Sequence, residues 1–207
     1  MKLLIENIAS VAEVDLQNKP DYVTDERWER ICRIRPMEDK KRSLLAGKML
    51  NQMCREYNIE EPQYGTVASG KPILLNASEL AFNVSHSGEY VLLAYKKDVK
   101  SIGADIQQIR NVSDGLKKRL LHTDEWRRME EKLSEGTQSE DSEVVLNRIW
   151  AIKESFVKMT GEGLSHDFRK ICIDFEKKIV VDETGKEFSF QEPDMPKGYV
   201  AAVIIDE

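Results

Sequence analysis

Twice along the chain, apolar residues at helical spacing give way to short β-rich runs set apart by turn formers. In the first half, apolar residues recur with helical period from Asp25 to about Arg35 and again from about Asp39 to Tyr57. The second stretch places Leu44, Leu45, Met49, Leu50 and Met53 on one stripe, and Pro36 separates the two helices. Residues 2 to 8 read as a short opening strand, and turn formers surround Gly-Lys-Pro in residues 65 to 77. LAFNVSHSGEYVLLAYKK then reads as a hairpin turning at Ser87-Gly88. The second half starts with the strand SIGADIQQI, followed by helical stretches over 113 to 133 and 147 to 160. KICIDF, KKIVVDE, KEFSFQE and YVAAVII follow as strands, while SEGTQSEDSE, residues 134 to 143, holds no apolar residue and reads as a loop. Helices followed by antiparallel strands, twice over, predict an α+β protein in two similar halves joined near residues 98 to 104.

A net charge of −6 leaves no excess of lysine and arginine for a general nucleic-acid binder, although a local anion site remains compatible with it. Cys32, Cys54 and Cys172 are scattered without CxxC spacing, so neither a disulfide framework nor a zinc site is expected. MKLLIENIASVAEV meets acidic residues too early for a signal peptide, and no apolar run approaches a membrane span. A cytoplasmic protein is expected.

Three constellations carry groups suited to chemistry. In NRIWAIKESFVKMTGEGLS, Ile149, Ile152, Phe156 and Met159 form the core stripe of a helix, and Trp150, Glu154 and Lys158 line a neighbouring row flanked by Lys153. By itself that row also fits a solvated face carrying an ordinary Glu–Lys pair. In SIGADIQQ, Asp105 ends a strand directly after a small Gly-Ala pair, a place for a metal ligand or for a simple turn. Were Asp105 and Glu154 to converge, two carboxylates would suit Mg2+ together with substrate phosphates. In FNVSHSG, His86 is flanked by Ser85 and Ser87, downstream of Gly70-Lys71-Pro72, and no G-x-S-x-G elbow accompanies them. A lone histidine is more often structural, but hydroxyls around an imidazole also suit a phosphate and a flat base.

Taken in order, GKP, FNVSHSG, IGADI and WAIKESFVKMTGEGL resemble the Sfp-type 4'-phosphopantetheinyl transferases. That family's pattern is a G-[VI]-D strand end followed some forty residues later by W-x-x-K-E-[SA]-x-x-K, here Gly103-Ala104-Asp105 and residues Trp150 to Lys158. The resemblance implies an α+β pseudodimer, an N-terminal lobe over 1–102 and a C-terminal lobe over 103–207, with coenzyme A in the cleft between them. It implies transfer of phosphopantetheine from coenzyme A to a serine of an apo acyl or peptidyl carrier protein, leaving adenosine 3',5'-bisphosphate. Carrier proteins of fatty acid, polyketide or nonribosomal peptide synthesis would be the partners. The chain length is that of the monomeric two-lobed group rather than the short trimeric one.

Residue by residue, the resemblance makes Asp105 and Glu154 the magnesium carboxylates, with Glu154 also taking the serine proton. Lys158 matches the lysine beside the pyrophosphate, and Lys153 its helper. Ser85 and His86 match a pair contacting adenine and phosphate, and Gly70, Lys71 and Pro72 a turn packed on the adenine. Arg27, Arg30 and Arg42 fall where basic residues meet the 3'-phosphate. One departure stands out: where many relatives carry a third acidic ligand, this chain has Gln107, whose amide oxygen would bind the metal directly or support a ligating water, with no charge and so with somewhat weaker metal affinity. That departure also keeps open a non-catalytic coenzyme A-binding paralogue. A Mg2+-dependent phosphohydrolase would require the Ser-His and Gly-Lys-Pro matches to be accidental. Finally, Lys117, Lys118 and Arg119, beside Leu116, Leu120 and Leu121, form a basic and apolar stretch that could receive an acidic carrier or be a solvated turn.

Overall fold

A computed structural model describes residues 1–134, 142–163 and 166–207, with backbone alone for 129–134. Strand β1 (Lys2–Asn7) is followed by helices α1 (Glu13–Gln17), α2 (Asp25–Arg33) and α3 (Met37–Glu56). Thr24 caps α2 by accepting the Arg27 N–H, and α3 starts directly after Pro36, where a proline's missing N–H costs nothing. Leu44, Leu45, Met49, Leu50 and Met53 are buried as their spacing predicts. A small hairpin follows, β2 (Tyr64–Thr66) and β3 (Pro72–Leu74), and then β4 (Leu80–Ser87) and β5 (Tyr90–Lys97). Their turn is Gly88-Glu89, one residue later than expected, because Ser87 still pairs with Tyr90 and Gly88 supplies the positive φ of 53°.

The second half repeats this plan. It comprises β6 (Ser101–Gln108), α4 (Asp114–Leu120), α5 (Thr123–Ser134), α6 (Ser142–Thr160), β7 (Cys172–Asp174), β8 (Ile179–Val181), β9 (Glu187–Gln191) and β10 (Tyr199–Asp206). The helical stretch expected over 113 to 133 is two helices, since the Leu120 carbonyl is taken by Lys153 Nζ at 2.8 Å and α5 restarts with His122 Nδ1 accepting the Asp124 N–H. Of the loop expected at 134 to 143, residue 134 belongs to α5 and residues 142 and 143 to α6; the remainder lies outside the described residues.

Besides the two-stranded β2-β3 sheet, two larger antiparallel sheets result, β1-β5-β4 and β6-β10-β9-β8-β7, so the fold is α+β with two lobes. In each lobe the first strand pairs antiparallel with the last, β1 with β5 and β6 with β10. One face of the first sheet covers α3 through Phe82, Val91, Leu93 and Tyr95. Its other face, carrying Leu92 and Ala94, packs on Ile102, Ala104, Ile106, Ala201 and Val203 of the second sheet. The period of two in β6 then turns Gly103, Asp105 and Gln107 the other way, towards α6. A Cβ at Gly103 would stand 1.9 Å from Ser155 O and 2.4 Å from the Met159 N, so the helix backbone rests directly on the strand. This close approach brings the strand-end carboxylate up against the polar row of α6.

Candidate active site

The two lobes join at β4 and β6 through side chains rather than a backbone ladder. Asn83 Oδ1 accepts the Ala104 N–H at 2.9 Å, Ser85 Oγ the Ile106 N–H at 3.3 Å, and Ser87 Oγ the Gln108 N–H at 3.0 Å. Polar residues at every second position of FNVSHSG thus satisfy the outward N–H groups of IGADIQQ. Their spacing was visible in the sequence, yet their partners lie about twenty residues on, across the lobe junction.

At the middle of this seam lies a buried charged cluster. Asp105 is 2% exposed, and its Oδ1 accepts from Ser85 Oγ at 2.6 Å and from Lys158 Nζ at 2.5 Å. Its Oδ2 accepts from Gln107 Nε2 at 2.6 Å. Lys158 Nζ also donates to Ser85 Oγ at 3.0 Å. Glu154, one helical turn before Lys158, is 6% exposed, and its Oε1 has no hydrogen-bond partner. Burial raises the Glu154 carboxyl above its usual range, the Asp105 charge raises it further, and Lys158 opposes both. An orphaned carboxylate oxygen beside a second carboxylate is a donor set that fits a hard divalent cation such as Mg2+. Trp150 packs on Phe168, ring centroids 5.7 Å apart, and anchors the same helix.

One residue further along both strands opens a cleft of about 450 Å³, lined by Arg42, His86, Ser87, Gln108 and Arg110 among others. Arg42 Nη1 donates to Gly88 O at 2.5 Å, and its other nitrogens pair with Asp39. Burial and the nearby Arg42 and Lys158 charges hold the His86 imidazole below its ordinary value. Arg110, which the sequence did not single out, donates to Gln108 Oε1 at 2.7 Å and adds a second guanidinium.

Several expected site residues are turned elsewhere. Lys153 is fully buried, its ammonium donating to Glu125 Oε2 at 2.6 Å, Leu120 O at 2.8 Å and Phe168 O at 3.0 Å, so it is not a pyrophosphate helper but an internal pin. Ser85 and His86 point to opposite faces of β4, as neighbours in a strand must, and only His86 lines the cleft. Gly70, with φ of 85°, closes the β2–β3 turn, and Pro72 pairs with Thr66. Lys71 does not reach towards the cleft: its Nζ donates to Ser101 Oγ at 2.7 Å and Ile102 O at 2.9 Å, and Ser101 Oγ donates on to Met159 O. Arg27 packs against Gly47 and donates to Ser43 O, and Arg30 is exposed beside Glu26; neither lines the cleft with Arg42. Gln107 presents its amide N–H to Asp105. Leu120 and Leu121 are core residues, which leaves only Leu116 beside the basic run on α4.

The profile described as the 4'-phosphopantetheinyl transferase superfamily matches residues 101–204, and an N-terminal 4'-phosphopantetheinyl transferase profile matches residues 12–98. The chain belongs to the 4'-phosphopantetheinyl transferase superfamily. It is 30% identical over 153 residues to the 4'-phosphopantetheinyl transferase psf-1 of Bacillus pumilus, covering 72% of this chain and 62% of that protein. It is 29% identical over 147 residues to the transferase Sfp of Bacillus subtilis, covering 70% and 62%. Against the L-aminoadipate-semialdehyde dehydrogenase-phosphopantetheinyl transferase of Mus musculus the identity is 27%, over 88% of this chain and 67% of that protein. The chain therefore spans 62% of the length of the Bacillus transferases it matches.

Proposed function

We propose that the chain is a Mg2+-dependent 4'-phosphopantetheinyl transferase that moves the phosphopantetheine arm of coenzyme A onto a serine of an apo acyl or peptidyl carrier protein. The observation that carries this reading is the buried pair Asp105 and Glu154 with Lys158 beside it, in a chain of this superfamily. In the reaction the carrier's serine oxygen bonds to the phosphorus bearing pantetheine, and the bond to the bridging oxygen breaks, releasing adenosine 3',5'-bisphosphate. Such transfers depend mainly on positioning and charge stabilisation. Asp105 and Glu154, with Gln107 at the margin, would hold Mg2+, which when bound offsets pyrophosphate charge. Lys158 places an ammonium beside the same phosphates. Glu154, with its raised basicity, takes the serine proton directly or through water. Arg42 and Arg110, with the His86 imidazole held below its ordinary value, offer the nucleotide end its donors, in a cleft that Glu38 and Glu89 also line.

The division at residues 1–102 and 103–207, a cytoplasmic monomer and no nucleic-acid partner belong to the same proposal. The last agrees with the net charge of −6, and among the described residues no helix is long and apolar enough to cross a membrane. Exposed Lys118 and Arg119 on α4, with half-buried Lys117 and Leu116, are the proposed carrier-facing stretch. Lys117→Glu with Arg119→Glu should raise the carrier KM several-fold and leave the coenzyme A KM alone; an unchanged carrier KM would remove α4 from the docking surface.

The deciding experiment is intact-protein mass spectrometry of apo acyl and peptidyl carriers after incubation with coenzyme A and Mg2+, with Glu154→Gln as control. A gain of one phosphopantetheine, absent in the control, is expected. No gain on any carrier, with coenzyme A binding intact, would leave the non-catalytic coenzyme A-binding reading in its place.

A further inference from the structure

We infer that Ser85 is a positioning residue, contributed by the N-terminal lobe, whose hydroxyl sets Asp105 and Lys158 of the C-terminal lobe in place. The inference rests on the proposed transferase reading for its chemistry, but its geometry stands alone. A serine hydroxyl has one hydrogen to donate and two lone pairs to accept with. Ser85 Oγ donates its hydrogen to Asp105 Oδ1 at 2.6 Å and accepts from Lys158 Nζ at 3.0 Å and from the Ile106 N–H at 3.3 Å. All three capacities are used within the protein, and the residue is 5% exposed.

The flanking seam bonds make this contact rigid. Asn83 and Ser87 fasten β4 to β6 two residues to either side, so the Ser85 hydroxyl has little freedom to follow a moving carboxylate. Asp105 is consequently held by a hydroxyl from one lobe, an ammonium from α6 and the Gln107 amide from its own strand. Without the hydroxyl, Asp105 Oδ1 would keep only Lys158, already at 2.5 Å, and the carboxylate would be free to turn away from the seam and from the position a cation needs. The seam that joins the lobes thereby sets the geometry of the charged cluster.

The test compares Ser85→Ala with Asn83→Ala, which removes a seam bond of the same kind without touching Asp105. Coenzyme A binding is read by calorimetry, Mn2+ binding by electron paramagnetic resonance with coenzyme A present, and transfer by kcat and KM. Ser85→Ala should weaken Mn2+ at least fivefold and lower kcat at least tenfold, with the coenzyme A Kd within twofold of wild type. Asn83→Ala should lose thermal stability yet keep Mn2+ affinity and kcat within twofold. A tenfold weaker coenzyme A Kd in Ser85→Ala with unchanged Mn2+ binding would make Ser85 a ligand contact and overturn the inference. Equal losses in both variants would also overturn it, reducing Ser85 to one seam bond among three. If Ser85→Ala does not fold, Ser85→Cys keeps the shape with a weaker donor; reduced Mn2+ affinity there supports the inference and unchanged affinity overturns it. If wild type modifies no carrier, the transferase proposal falls, while the Mn2+ and coenzyme A comparisons still decide the role of Ser85.

Discussion

Lys153 Nζ lies 2.6 Å from Glu125 Oε2, with the two side chains 0% and 2% exposed. Both Glu125 oxygens are engaged, Oε2 also accepting the His122 N–H and Oε1 the Ile173 N–H. A single ion pair therefore ties α6 to the α4–α5 corner and to β7 at the residue directly before Glu154. Burial lowers the Lys153 ammonium from its ordinary range, and Glu125 is the main influence opposing that fall.

Lys153→Met is expected to destabilise the fold by about 3–5 kcal/mol, because it leaves the Glu125 charge buried and unpaired. Lys153→Met with Glu125→Gln should recover part of that loss, since the amide carries no charge. Denaturant melts of both variants would show it, and a single variant as stable as wild type would mean the pair is dispensable.

Glu154→Gln should lower transfer by about two orders of magnitude or more. Without Mg2+ it should be at least as thermally stable as wild type, because a buried carboxylate with an unpartnered oxygen disfavours the fold and an amide removes its charge. Mg2+ should raise the Tm of wild type and not of the variant, because only a ligand bound by the folded state stabilises it. A variant that melts well below wild type in the absence of metal would contradict the orphaned oxygen.

Gln107→Glu exchanges an amide donor to Asp105 for a third carboxylate. The metal-free variant should melt lower than wild type through like-charge repulsion, and Mg2+ should restore more of its stability than it adds to wild type. Half-maximal activity should also need less Mg2+. An unchanged Mg2+ requirement would place residue 107 outside the metal site.

Burial pushes the Lys71 ammonium down to about 8. Its unfolded value is about 10.4, so between the two the unfolded chain binds more protons and stability rises with pH across that window. Lys71→Met removes this contribution, so the stability of wild type relative to the variant should improve from about pH 7 to about pH 10. Paired denaturant melts at the two pH values test the sign. The opposite trend would show that Ser101 Oγ and Ile102 O hold the ammonium charged more strongly than burial opposes it.

Much of the fold was legible because its signals are local. Pro36 placed the α2–α3 break, the Met49–Met53 stripe placed the α3 core, and alternation placed β4, β5 and β6. The buried charged cluster was legible for the same reason: four-residue spacing puts Glu154 and Lys158 on one row of α6, and the small Gly103 admits that row to Asp105. Direction and pairing were not legible. Nothing local reveals that Lys153 meets Glu125 on another helix, or that Lys71 turns to Ser101. Ser85 and His86 look like one unit in the sequence, but strand geometry sends them to opposite faces. The α4–α5 break went unseen because it combines a tertiary hydrogen bond to the Leu120 carbonyl with a local one from the His122 N–H to Glu125, and no proline or glycine marks it.

The seam also bears on what the C-terminal half would do alone. β6 is the edge strand of the five-stranded sheet, and Asn83, Ser85 and Ser87 cap its outward N–H groups at Ala104, Ile106 and Gln108. Detached from residues before 101, that strand would present bare donors along with Ile102, Ala104 and Ile106 stripped of their apolar cover. An uncapped apolar edge is a template for strand addition by another chain. The same three side chains that join the lobes therefore guard the sheet against aggregation.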